Sequence, residues 1–135
     1  MKTTLLLLAC CFILLGATQV HAATKFSLVE FKYDADGNDN YNRNGEYVTL
    51  KNISGKTLNL KNWIVTDNGS HSLTLPEIKL KKNKKITIYT GEGTNVTTGS
   101  PKKVYWGNGW GLWNNDHDKL TVKNKKGKTV FSYAY

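Results

Sequence analysis

The stretch Asn44-Gly45-Glu46-Tyr47-Val48-Thr49-Leu50-Lys51-Asn52 sets the pattern for the chain. Val48 and Leu50 fall on one face of an extended backbone and Tyr47, Thr49 and Lys51 on the other, the period-two alternation of a strand buried on one side. Asn44-Gly45 reads as the turn that opens it, because glycine takes positive φ at little steric cost. The same alternation recurs upstream, where Val29, Phe31 and Tyr33 alternate with Glu30 and Lys32. It recurs downstream in Leu73 and Leu75, in Ile86 and Ile88, and in the closing pair Lys119–Val122 and Thr129–Tyr133 around Asn124–Gly127. Leu58 and Leu60 share one phase and Trp63 and Val65 the opposite one, which predicts a bulge or bend near Lys61-Asn62.

Turn-forming clusters separate these segments: Asp34–Gly45, Asn52–Lys56, Asp67–Ser70, Lys81–Lys85, Gly91–Ser100 and the glycine-rich run 107–118. Pro76 stops the strand before it, and Ile78 and Leu80 follow in phase. No segment sustains a 3.6-residue apolar period. Many short strands punctuated every 8–12 residues predict a single all-β domain, an antiparallel sandwich or barrel with essentially no helix.

The first 22 residues stand apart. One lysine precedes an apolar run from Leu5 to Leu15, and Val20-His21-Ala22 presents small residues at the two positions a signal peptidase reads. The run is shorter than a membrane span requires. Residues 1–22 are therefore expected to be a cleaved signal peptide and residues 23–135 the exported domain, secreted or held at the cell surface. Leu7-Leu8-Ala9-Cys10 loosely matches a lipid-attachment box but leaves too short an apolar run ahead of the cysteine. Cys10 and Cys11 both lie in the leader, so the exported domain would have no disulfide and would rely on its core.

The net charge of +9 rests on lysine, with Arg43 the only arginine. Such a balance suits polyanionic polymers, anionic membrane surfaces or another exported protein. Lys79, Lys81, Lys82, Lys84 and Lys85 cluster at one turn and Lys123, Lys125, Lys126 and Lys128 at another. They can equally be solvated turns that protect sheet edges. One arginine cannot do much bidentate base reading, which argues against sequence-specific nucleic-acid recognition.

Other residues carry possible chemistry. Asp34, Asp36, Asn38 and Asn40 place oxygens at alternate positions, with Glu46 beyond them, as a Ca²⁺ loop requires. The loop departs from the EF-hand pattern by having Asp39 at the sixth position and Glu46 at the thirteenth. An ordinary turn network would use the same residues. Trp106, Trp110 and Trp113, beside glycines, could stack on sugar rings or bases, or Trp106 and Trp113 could plug the sandwich or its edge and leave Trp110 exposed. Asn52, Asn68 and Asn95 head glycan acceptor triplets. His71, His117, Asp116 and Asp118 are the residues an enzyme would have to use, and no nucleophile motif or metal spacing joins them.

Together, Asn44–Asn52, Leu60-Lys61-Asn62-Trp63-Ile64-Val65, Leu75-Pro76 through Ile86–Tyr89, Gly91–Thr94 and Val104-Tyr105-Trp106 to Trp113-Asn114-Asn115 make the chain resemble a lamin tail domain. The resemblance implies an immunoglobulin-like antiparallel sandwich with Trp63 in the core and a non-catalytic binding or tethering role. A carbohydrate-binding module with a calcium-binding loop is the alternative left open by the residues.

Overall fold

The computed structural model describes residues 24–135. The expected signal peptide, with Cys10 and Cys11, lies outside the described residues. The strands are β1 (Phe26–Lys32), β2 (Tyr47–Asn52), β3 (Leu58–Asn59), β4 (Ile64–Thr66), β5 (Ser72–Thr74), β6 (Lys79–Leu80), β7 (Lys85–Tyr89), β8 (Lys102–Tyr105), β9 (Lys119–Lys123) and β10 (Thr129–Ala134). The one helical element among the described residues is a single 3-10 turn, Arg43–Gly45.

Two four-stranded sheets, ordered β1-β2-β7-β8 and β10-β9-β4-β5, face each other, and β3 and β6 form a separate two-stranded ribbon. Strand β2 is central, as its alternation requires. Val48 pairs with Ile88 and Leu50 with Ile86, and all four are buried. Val65 and Val122, register partners in the second sheet, join the same core with Leu120. Burying each such aliphatic side chain contributes roughly 1.5–3 kcal/mol, which lets the domain stand without a disulfide. Trp63 is buried with its ring set edge-on to Phe26, centroids 6.0 Å apart. The bend expected near Lys61-Asn62 is centred on Asn62 at φ 63°, and it turns Leu58, Leu60, Trp63 and Val65 all inward.

Three local expectations are corrected. The β1–β2 register slips between Leu28 and Glu30, so the bulge leaves Val29 43% exposed and hands its inward place to Leu28. Gly45 does not adopt positive φ. It is small for a different reason, since a Cβ there would lie 2.6 Å from Asn42 Nδ2 and 2.8 Å from Ala35 Cβ. Strand β8 runs parallel to β7, the exception among otherwise antiparallel pairs. That geometry follows from the long 91–101 loop, which carries the chain back along the sheet before β8 begins.

At the end of β2, Asn52 is fully buried and makes every hydrogen bond its amide offers. Nδ2 donates to Lys56 O at 2.7 Å and Leu80 O at 2.8 Å, while Oδ1 accepts from Ser54 N at 2.9 Å and Ser54 Oγ at 2.7 Å. Its backbone reaches the lysine turn as well, with N donating to Lys84 O and O accepting from Asn83 N. One side chain therefore ties β2, the 53–56 turn and β6 together, and its backbone ties on the 81–85 turn. Asn52→Ala strands the buried Leu80 carbonyl, frees the part-buried Lys56 carbonyl and is expected to cost about 3 kcal/mol, lowering the thermal midpoint by roughly 10 °C. Asn52→Asp, which sets an oxygen against those carbonyls, is expected to cost at least as much. Calorimetric midpoints within about 2 °C of the parent would contradict this role.

Candidate functional site

Strand direction sorts the charges. At one end lie the β1–β2 loop, the β4–β5 turn, and the loops following β7 and β8, carrying Asp34, Asp36, Asp39, Glu46, Asp67, Glu92, Asp116 and Asp118. At the other end lie the turns 53–57, 60–63, 81–84 and 124–128. They bear Lys56, Lys61, Lys81, Lys82, Lys84, Lys125, Lys126 and Lys128, with Lys79, Lys85, Lys102 and Lys123 on adjoining strand termini. Among the described residues Glu77 is the carboxylate that intrudes there, 3.7 Å from Lys61 Nζ.

The basic end contains two cavities. One, of about 390 Å³, is lined by Lys79, Leu80, Lys81, Lys84, Lys85, Gly99, Ser100 and Lys102. The turn that builds it needs Asn83 at φ 63°, a conformation asparagine tolerates better than most residues. Lys102 Nζ donates to Thr97 O at 2.7 Å, and the remaining lysines of this wall are exposed. The second cavity, of about 320 Å³, is lined by Asn59, Lys61, Asn62, Trp63, Asn124, Lys125 and Lys126. Asn124 Oδ1 accepts from Lys126 N and Lys128 N and so shapes that turn.

At the acidic end the residues expected to ligate Ca²⁺ go different ways. Asp36 pairs with Lys32 at 3.0 Å, Asn38 Oδ1 accepts from Asn40 N, and Asn40 Oδ1 accepts from Gly111 N. Asp34 Oδ1 and Asp39 Oδ2 converge on Asn115 Nδ2, at 3.3 and 3.1 Å. Glu46 is fully buried. Its Oε2 accepts from Leu112 N at 2.9 Å, whereas Oε1 meets no donor in hydrogen-bond geometry among the described residues, and the buried Thr90 hydroxyl beside the carboxyl is likewise unpaired. Burial pushes its carboxyl above the ordinary range, with nearby Asp39 adding to the rise, while the Leu112 hydrogen bond opposes it. Among the described residues no three His, Cys, Asp or Glu side chains gather as a metal group.

The other candidates separate clearly. Trp113 is buried, and Trp106 packs against it with centroids 5.9 Å apart at 89°, so of the expected stacking residues Trp110, 58% exposed, is the one with a free ring. Asp118 Oδ1 accepts from Asn68 N and Lys119 N and Oδ2 from Asn114 N. Asp67 likewise accepts from Gly69 N and His71 N, with Oδ2 2.6 Å from His71 Nδ1. These aspartates organise turns, and His117 lies exposed beside them. Asn68 and Asn95 are exposed, but Asn52 is removed as a glycan acceptor, because its Nδ2 is buried and already donates twice.

Sequence reasoning misses Lys61 and Lys102 as members of the basic surface, and Asn115 as the donor on which Asp34 and Asp39 converge. Lys61 sits in the bend that alternation exposes, a usable signal. Lys102 joins only through the parallel β7–β8 register, which nothing local announces.

A family model described as Lamin Tail Domain matches residues 19–135. Among curated proteins no match was found.

Because burial raises the Glu46 carboxyl above its unfolded value, its contribution favours folding fully below about pH 4.5, and is lost as pH rises through the folded value. Glu46→Gln keeps an acceptor for Leu112 N and removes the charge. The stability of the parent relative to this variant is expected to fall as pH rises from about 4 to about 8, measured by urea denaturation. A difference that stays constant with pH would contradict the assignment.

Proposed function

The chain belongs to the lamin tail domain family, a non-catalytic immunoglobulin-like binding fold, and on that premise we propose that it is an exported module that attaches through its basic end to anionic polymers. The observation that carries this is the cavity walled by Lys79, Lys81, Lys84, Lys85 and Lys102 with no carboxylate in its lining. Solvated turns alone do not require lysines from two separate segments, residues 79–85 and 102, to surround one hollow. Lys51 and Lys85 even oppose each other directly across β2 and β7, a like-charge pairing that costs stability unless an anion offsets it. Lysine point charges suit sulfate, phosphate or carboxylate groups presented repeatedly, with affinity that depends on displaced counterions. Anionic lipid surfaces present the same charge as a plane, which a hollow between turns meets less fully than a chain does.

The test is retention on a heparin matrix as salt is raised. The triple variant Lys81→Gln, Lys84→Gln, Lys85→Gln is expected to elute at clearly lower salt than the parent. Lys32→Gln with Lys119→Gln, which alters charge at the acidic end, is expected to change elution little. Elution of the triple variant with the parent, or earlier elution of the acidic-end variant than of the triple one, would contradict the proposal.

The acidic end supports a second reading, a carbohydrate-binding surface at Trp110 with Ca²⁺ held by the 34–46 loop. The observation favouring it is the unpartnered, buried Glu46 Oε1 near a cavity of about 600 Å³ lined by Asp39, Asn40, Gly111 and Asn115. Asp34 and Asp39 would supply the charge, and the other loop residues would have to give up their present hydrogen bonds to complete an oxygen shell. Under this reading calorimetric titration with millimolar Ca²⁺ yields heat and raises the melting temperature. Neither response would end it.

A further inference from the structure

We propose that the two basic cavities form one continuous track and that its ligand is a linear anionic polysaccharide, an extension that rests on the polyanion reading above. Asn59 lines the smaller cavity and Lys79 the larger, and these two residues are register partners across β3 and β6. Directly opposed residues of an antiparallel pair have Cα atoms about 4.5–5.5 Å apart and side chains on the same face. Their neighbours Leu58 and Leu80 point into the core, so Asn59 and Lys79 stand side by side on the outer face of the ribbon. The hollows thus share a wall. Turns forty residues apart in the chain, 81–85 and 124–128, become the two flanks of one surface.

The chemistry of the track selects the polymer. The smaller cavity mixes Lys125 and Lys126 with the side-chain amides of Asn59, Asn62 and Asn124, over a floor provided by Trp63. Asn59 Oδ1 already accepts from Lys61 N, and Asn124 Oδ1 from two backbone amides, which orients their NH₂ groups as donors. Lysines for periodic charge beside amides for hydroxyl or acetamido groups match a sulfated or uronic-acid polysaccharide. A single-stranded nucleic acid needs exposed aromatic faces for its bases. Trp63 is only 7% exposed, and of the open aromatics Trp110 and Tyr41 lie on loops of the acidic end and Tyr133 near the end of β10, away from both cavities. A compact anion would occupy one hollow and leave the other unused.

The test is calorimetric affinity for a heparin-derived oligosaccharide series from disaccharide to dodecasaccharide, alongside single-stranded DNA of matched charge. Affinity is expected to step up by roughly 10²-fold once the chain is long enough to bridge both cavities, as engagement of the second becomes intramolecular. That exceeds the linear growth given by extra binding registers. Lys125→Gln with Lys126→Gln, on the turn that walls the smaller cavity, is expected to lose the step. Asn59→Ala, at the shared wall, is expected to shrink the step. Short oligomers binding with no step would overturn the track while leaving the polyanion reading intact. No binding at any length would overturn that reading itself, and DNA binding as tightly as the dodecasaccharide would overturn the choice of polysaccharide.

Discussion

The hydrogen bonds of one buried amide organise the basic end of the molecule. Asn52 closes the central strand β2, and its side chain reaches forward to Lys56 and across to Leu80 while its backbone holds Asn83 and Lys84. A buried amide is costly unless every donor and acceptor is met, and here all are. The consequence is rigid placement of the β3–β6 ribbon and the lysine turn. Clustered like charges repel, and loose turns would relieve that repulsion by splaying apart. Held by Asn52, the lysines remain around a hollow. The same physical device recurs opposite, where Asp118 and Asp67 each gather several backbone N–H groups and fix the loops of the acidic end.

Segregating carboxylates and lysines to opposite ends gives the sandwich a long-range field as well as local sites. Such a field orients an approaching polyanion before contact and keeps the acidic loops turned away. The same segregation leaves the Lys51–Lys85 pairing without a neighbouring carboxylate among the described residues to offset it. Glu46 is the exception in a different sense. It is a carboxylate taken out of water with one oxygen unpaired, held by the Leu112 amide under the loop that bears Trp110. That feature is what keeps a second, distinct chemistry at the acidic end in view.

Much of the fold was legible because alternation is a local property. Val48 with Leu50, Ile86 with Ile88, and the phase change resolved by a bend at Asn62 could each be read from a few neighbouring residues. Val29 was misplaced because a bulge inserts one residue without altering composition. The local sequence suggests positive φ for Gly45, whereas the close approach of Asn42 and Ala35 that keeps it small arises only once the loop is folded. The site was less legible for the same reason. The lysine turns were evident, but their union depends on Asn59 meeting Lys79 and on Lys102 lying beside Ile86, both long-range pairings. Asn52 carried a misleading local signal, an acceptor triplet, when its function is to be buried.

On the reading proposed above, a polyanionic partner meets the molecule at its basic end. Backbone amide shifts of the isotope-labelled domain, followed by NMR during titration with a sulfated oligosaccharide, test this most directly. Binding at the basic end predicts the largest shifts in residues 59–63, 79–85, 99–103 and 124–127, with residues 36–44 and 108–117 nearly unmoved. Shifts concentrated in the latter two segments would contradict it.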